Sequence, residues 1–195
     1  MKLLIATHNK GKVKEMNEIL TAWGVACVSL DEAGITEDVE ETGATFAENA
    51  ILKAEYYAAA TQLLTLADDS GLEVDALNGA PGVYSKRYGE GEPIMYTRLM
   101  REIAAVPWEQ RTARFRCVVA LADGNGLIGT ADGRCEGMIA FEPRGSGGFG
   151  YDPVFLLPDR GQTMAELAAE EKNVISHRGR AIAAILPLLH QVVEG

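Results

Sequence analysis

Cysteine is scarce in this chain: Cys27, Cys117 and Cys135 are odd in number, widely spaced and without a C-x-x-C pair among 195 residues. That excludes a disulfide framework or a zinc cluster as the organising device and predicts reduced, structural thiols. Basic residues are also few, with 18 lysines and arginines against 28 aspartates and glutamates and a formal net charge of −10. A broad grip on DNA or RNA, which needs many cations to neutralise phosphates, is therefore not expected. No apolar run approaches the roughly 20 residues of a membrane span. The N-terminus also lacks the small-residue cleavage region of a signal peptide, so a cytoplasmic protein without a membrane partner is expected. Internal repeats and low-complexity stretches are missing too. What remains, 47% hydrophobic and 24% charged residues, is the composition of an ordinary globular chain, of a length that suits one domain over residues 1–195.

The opening is the most informative stretch. Leu3-Leu4-Ile5-Ala6 reads as a short buried strand, Thr7-His8-Asn9-Lys10-Gly11-Lys12 as a polar turn, and a helix follows in which Val13, Met16, Leu20 and Trp23, with Ile19, share one face. A strand-to-helix turn aims backbone N–H groups and the positive end of the helix dipole at one point, which suits an anion such as phosphate. Lys10 and Lys12 add charge beside it. The turn matches neither G-x-x-x-x-G-K-[ST] nor G-x-G-x-x-G, and a solvated surface connection accounts for it equally well when it is taken alone.

Further along, Val25–Ser29 reads as a second strand, and residues 31–43 as an irregular acidic connection holding Glu37, Asp38, Glu40 and Glu41. Thr45-Phe46-Ala47-Glu48 is a capping box that opens a long helix with Phe46, Ala50, Ala54, Tyr57 and Thr61 on one face. Leu63–Ala67 predicts a buried strand with Asp68-Asp69-Ser70-Gly71 at its C-terminal end, where α/β sheets commonly do their chemistry. A helix is predicted from Pro93 to about Ala104, and a hairpin from Arg114–Ala122 and Leu127–Arg134 across Asp123-Gly124-Asn125-Gly126, which makes the sheet mixed. Ser146 to Pro153 is a glycine-rich loop with two aromatics and an acid. A second capping box, Thr163 to Glu166, predicts a helix ending near Lys172, and Ser176-His177-Arg178 precedes a last helix whose Ile182, Ile185, Leu186 and Leu189 dock on the body.

Each chemical feature has a plain structural alternative: the acidic connection as a solvated loop, Asp68-Asp69 as a turn, the glycine loop as a hairpin bend, His177 and Arg178 as a helix start and a surface charge. Their joint occurrence is what points to a nucleoside triphosphate site. The Asp68-Asp69 pair and the acidic cluster around Glu40 offer oxygen ligands of the kind magnesium takes beside phosphate and water. Phe149 between glycines suits stacking on a base, with Asp152 accepting from ring N–H groups.

At these residues the sequence resembles the inosine/xanthosine triphosphate pyrophosphatase family, which hydrolyses non-standard purine nucleoside triphosphates to monophosphate and pyrophosphate. Thr7-x-Asn9-x-x-Lys12, Glu40-Glu41-Thr42-Gly43 with Glu48-Asn49-Ala50, Asp68-Asp69-Ser70-Gly71, Ala80 to Ser85, Gly148 to Pro153, and Ser176-His177-Arg178 are the ordered blocks that carry the likeness. The resemblance implies an α/β fold with an elongated central mixed β-sheet flanked by helices, two lobes with a cleft between them, magnesium dependence and a homodimer. It implies Glu40 and Asp69 as metal ligands, Asp69 as general base, and Thr7, His8, Asn9, Lys10, Gly11 and Lys12 with Ser70 as the triphosphate site. Phe149, Gly150, Tyr151, Asp152 and Lys172 would hold the purine, and His177 and Arg178 would read its carbonyl. Lys53 and Lys86 match lysines near the phosphates in some members. His8 stands where many members have glycine, and would be strained if the turn required a positive φ there. A Maf-like nucleotide pyrophosphatase is the alternative enzyme, opposed by the Gly148 to Pro153 and Ser176-His177-Arg178 blocks. A non-catalytic nucleotide sensor is the alternative binder, opposed by the presence of both Glu40 and Asp69.

Overall fold

The structure is a computed structural model that describes residues 2–91 and 94–194. Its strands are β1 (Leu3–Ile5), β2 (Cys27–Ser29), β3 (Thr65–Val74), β4 (Thr112–Asp123), β5 (Gly126–Ile139), β6 (Phe155–Leu157) and β7 (Gln162–Thr163), in one seven-stranded sheet of order β2-β1-β3-β4-β5-β6-β7. The helices are α1 (Lys10–Ala22), α2 (Phe46–Thr61), α3 (Ser85–Tyr88), α4 (Thr97–Glu102), α5 (Ala169–Ile175) and α6 (His177–Glu194). β1 pairs in parallel with β2 and β3, whereas β6 is antiparallel to β5 and β7, so the sheet is mixed as the hairpin signal requires. Among the described residues no helix is long and apolar enough to cross a membrane.

By its contacts the chain divides into two compact units, the first Met1–Asp69, Cys117–Gly133 and His177–Gly195, the second Ser70–Arg116 and Arg134–Ser176. The first unit is cored by Leu3 and Ile5 of β1, Met16, Ile19 and Leu20 of α1, Leu66 of β3, Val119 and Leu121 of β4, and Ile182, Ile185, Leu186 and Leu189 of α6. All three residues of β1 are buried, the unbroken apolar run of a strand covered on both faces. The second unit is cored by Leu72 and Val74 of β3, Leu99, Phe115, Ile139, Tyr151, Phe155 and Met164.

Several predicted boundaries move. α1 ends at Ala22, so Trp23 sits at the cap, 56% exposed and off the buried face. β3 runs on to Val74, which places Asp68 and Asp69 inside the strand instead of at its end. The predicted helix from Pro93 is the short α4, and Pro93 itself lies outside the described residues. The capping box at Thr163 and Glu166 forms, but it closes a single 3-10 turn, and α5 starts separately at Ala169. None of the three cysteines forms a disulfide among the described residues, and burial pushes Cys27 up to about 11.

The first capping box forms in full: Thr45 Oγ1 accepts from the Glu48 N–H at 3.2 Å and Glu48 Oε2 accepts from the Thr45 N–H at 3.0 Å. Because α2 carries buried polar side chains, its cap bears on more than helix length. Thr45→Ala is expected to cost about 1 kcal/mol in urea denaturation.

Candidate active site

The first unit concentrates its charge around β3. Successive side chains of a strand point to opposite faces, and here the two neighbouring aspartates meet different partners. Asp68, with no exposed surface, accepts from Arg178 Nε at 3.2 Å and Nη2 at 2.9 Å, and lies 3.3 Å from Lys12 Nζ. Arg178, 2% exposed, also ion-pairs with Glu15 of α1. Burial by itself would raise the Asp68 carboxyl, but Lys12, Arg178 and Lys53 outweigh it and hold the group well below the usual carboxylate range.

Asp69, 4% exposed, faces α2. Asn49 Nδ2 donates to its Oδ2 at 3.0 Å, and Lys53 Nζ stands 3.8 Å from its Oδ1. Lys53 also donates to the Asp68 backbone carbonyl at 2.8 Å and ion-pairs with Glu41. Burial raises the Asp69 carboxyl; Lys53 and Lys12 oppose the rise and Glu41 adds to it, leaving Asp69 a stronger base than a solvated aspartate. Lys53 is desolvated too, yet Asp69, Asp68 and Glu41 hold it above its ordinary value. Asn49 joins the acidic segment to this centre, since its Oδ1 accepts from the Gly43 N–H at 2.7 Å while its amide nitrogen holds Asp69.

At the head of α1, Asn9 is the N-cap and accepts from the Gly11 and Lys12 N–H groups at 2.9 and 3.1 Å, while Thr7 Oγ1 accepts from the Asn9 N–H. Two of the amides expected to face an anion are thus capped internally, and the turn's remaining assets are the helix dipole and its lysines. Among the described residues the non-glycine positions with positive φ are Gln62 and Asn78, so His8 bears no left-handed strain.

The second unit carries the glycine loop. Asp152 Oδ2 accepts from the Phe149 N–H at 2.8 Å and from Lys172 Nζ at 2.6 Å, and that ammonium lies 5.4 Å from the centre of the half-buried Phe149 ring. Gly148 has φ +68°, and a Cβ there would lie 2.0 Å from Asp152 Oδ2, so only glycine lets the loop close over the carboxylate. Gly150 also takes a positive φ, and Ser70 is half-buried on β3.

The structure therefore joins Asp69, Lys12 and Arg178 through Asp68 and Lys53, and Phe149, Asp152 and Lys172 through one carboxylate. Tyr151 is a core residue whose hydroxyl donates to the Ser85 carbonyl at 2.9 Å. Arg178, expected at the base carbonyl, has its guanidinium on Asp68 and Glu15. His177 is buried at the start of α6. Glu40 and Lys86 are exposed, and it is Glu41, one residue on, that reaches Lys53. Nothing in the sequence separates Glu40 from Glu41. Asn49 and Lys53 did leave a signal: with Phe46, Ala50, Ala54 and Tyr57 they complete one stripe at i, i+3, i+4 spacing, polar groups on a buried helix face.

Whether a divalent ion fits can be judged from the donors. Carboxylates from two separate segments, Glu41 and Asp69, already converge on one cation, the Lys53 ammonium, and hard anionic oxygens in that number are what magnesium takes from a protein. No group of three or more His, Cys, Asp or Glu side chains is gathered among the described residues. An ion held by Asp69 with Glu40 or Glu41 would draw its remaining ligands from water and phosphate oxygens.

Fold and site together define an α/β protein with buried carboxylates set against ammonium and guanidinium groups, and a separate aromatic loop braced by an ion pair. The sequence profile of the Ham1 family matches residues 3–188. A dITP/XTP pyrophosphatase of Desulforamulus reducens is 55% identical over 98% of this chain and 97% of its own length, and one of Bacillus subtilis is 50% identical over 95% and 96%. A HAM1 protein structure from Coxiella burnetii superposes with a TM-score of 0.85 at 41% identity, covering 98% of this chain and 99% of the other. The Staphylococcus aureus Ham1 structure gives 0.84 at 38%, with coverage of 98% and 99%. The chain belongs to the Ham1 family, and the likeness read from its motifs is borne out.

Removing one member of a buried ion pair leaves the other charge uncompensated. Arg178→Met is expected to lose about 3–5 kcal/mol of stability in urea denaturation followed by circular dichroism.

Proposed function

We propose that this chain hydrolyses non-standard purine nucleoside triphosphates, dITP, ITP and XTP, to the monophosphate and pyrophosphate, and so removes deaminated purines from the nucleotide pool. The observation that carries the reading is the convergence of Glu41 and Asp69 on Lys53 beside the Asp68–Lys12 pair, in a chain whose relatives are named dITP/XTP pyrophosphatases.

Thr7 to Lys12, with Ser70, take the triphosphate, and Lys12 and Lys53 place positive charge against it. Asp69, with Glu40 or Glu41, holds magnesium, which when bound neutralises phosphate charge and makes water more acidic. Asp69 accepts the proton of the attacking water as the new bond forms at the α-phosphorus and the bond to the pyrophosphate oxygen breaks in line. Asn49 fixes the orientation of that carboxylate through its Oδ2. Arg178 serves by holding Asp68 in place.

Phe149 stacks on the purine, and Asp152 with Lys172 fixes its edge. His177 donates to the 6-carbonyl of hypoxanthine or xanthine. Adenine offers an amino donor at that position, and each polar group left unpaired costs about 1–3 kcal/mol. A homodimer in the cytoplasm, with no nucleic-acid partner, accompanies this reading; the net charge of −10 supports the last of these.

Pyrophosphate release measured with dITP, XTP, ATP, GTP and dTTP, with magnesium and with EDTA, tests it. Turnover is expected for dITP and XTP, abolished by EDTA, and lowered about 10²–10⁴-fold by Asp69→Asn. Equal turnover of ATP or dTTP, or wild-type rates in the variant, would overturn the reading.

A further inference from the structure

Residues 35–43 form neither helix nor strand, although they carry Glu40 and Glu41. Glu37, Asp38 and Glu40 are exposed, so the segment buries little that would hold it in place, and its carboxylates repel one another. Its shape depends on a few anchors. At one end the Gly43 N–H bonds to Asn49, and Glu41 pairs with Lys53. At the other, a single backbone carbonyl, that of Glu37, is gripped from two directions.

Tyr57 of α2 donates its hydroxyl to Glu37 O at 2.9 Å, and His8 of the turn before α1 presents Nε2 to the same oxygen at 3.0 Å. A carbonyl oxygen has two lone pairs and donates nothing, so it can accept both bonds, and His8 must carry its proton on Nε2. The two rings meet edge to face, with centres 6.5 Å apart and planes at 78°. On the far side His8 Nδ1 lies 3.5 Å from Asp31 Oδ1, where the acidic connection begins.

We propose that His8 and Tyr57 clamp the Glu37 carbonyl and thereby position the acidic segment, so that Glu40 and Glu41 are presented to a divalent cation. His8 is then a positioning residue that ties the triphosphate turn to the cation-binding segment. This role rests on the metal-dependent reading above; the clamp itself rests only on the geometry.

The test uses the full chain and its variants His8→Gly, His8→Gln and Tyr57→Phe, with circular dichroism confirming that each folds. Hydrogen exchange without metal or nucleotide reads the clamp, and the electron paramagnetic resonance of free Mn²⁺ reads cation affinity. Loss of one such hydrogen bond is expected to speed amide exchange across residues 36–42 and to weaken Mn²⁺ binding, each by about threefold to tenfold, in His8→Gly and Tyr57→Phe. His8→Gln, which keeps a side-chain N–H donor, should recover most of both.

Wild-type exchange in both His8→Gly and Tyr57→Phe, or no recovery by His8→Gln, overturns the clamp. Faster exchange with unchanged Mn²⁺ affinity, or a wild-type chain that binds no Mn²⁺, overturns its role toward the cation. A wild-type chain that releases no pyrophosphate from dITP defeats the functional reading, and the exchange arm still decides the clamp separately.

Discussion

Two adjacent carboxylates buried in the middle of a strand are the constraint around which the first unit is built. Moving one ionised carboxylate out of water is costly unless it is paired and hydrogen-bonded, and Asp68 and Asp69 both lie within β3. Strand geometry turns them to opposite faces, so each needs its own compensation. Asp68 has it nearly in full, from Arg178 and Lys12. Asp69 has a neutral amide and a shared ammonium, and its carboxyl is raised. The same β-strand thus holds one acid locked as an anion beside a neighbour whose carboxyl is raised, and perturbed pairs of this kind mark candidate chemical sites.

The elements around β3 follow from that demand. α1 supplies Lys12 and Glu15, α6 supplies Arg178, and α2 supplies Asn49 and Lys53. Each helix also delivers an apolar stripe to the core, with Met16, Ile19 and Leu20 from α1 and Ile182, Ile185 and Leu189 from α6. Packing sets where the helices lie, and the polar groups riding on the same faces are set with them. In the second unit the glycine loop solves a smaller version of the problem: Asp152 is compensated by Lys172 and by a backbone amide, and the absence of a side chain at Gly148 makes room for it.

Much of this was legible before any coordinates. The buried β1 strand, the α1 periodicity, the Thr45 capping box, the β4–β5 hairpin and the apolar face of α6 were all readable, because each is a local matter of spacing or turn chemistry. The misplaced end of β3 has a non-local cause. β3 continues through two aspartates, poor strand formers, because Arg178, 110 residues on, compensates the first and Asn49 the second. The helix expected from Thr163 stops after one turn, and the chain becomes extended at Leu167 and Ala168 before α5.

For the site, sequence alone determined the chemical inventory: acids, lysines, a capped turn, an aromatic between glycines, in an order that marks the family. Local spacing carries that information, and no folding is needed to read it. Tertiary structure decided the partnerships. It chose Glu41 for Lys53, gave Asn49 both Gly43 and Asp69, turned Arg178 onto Asp68 and sank Tyr151 into the core. A charge inside a protein takes whichever opposite charge the packed backbone brings near, and that neighbour is set by how strands and helices stack.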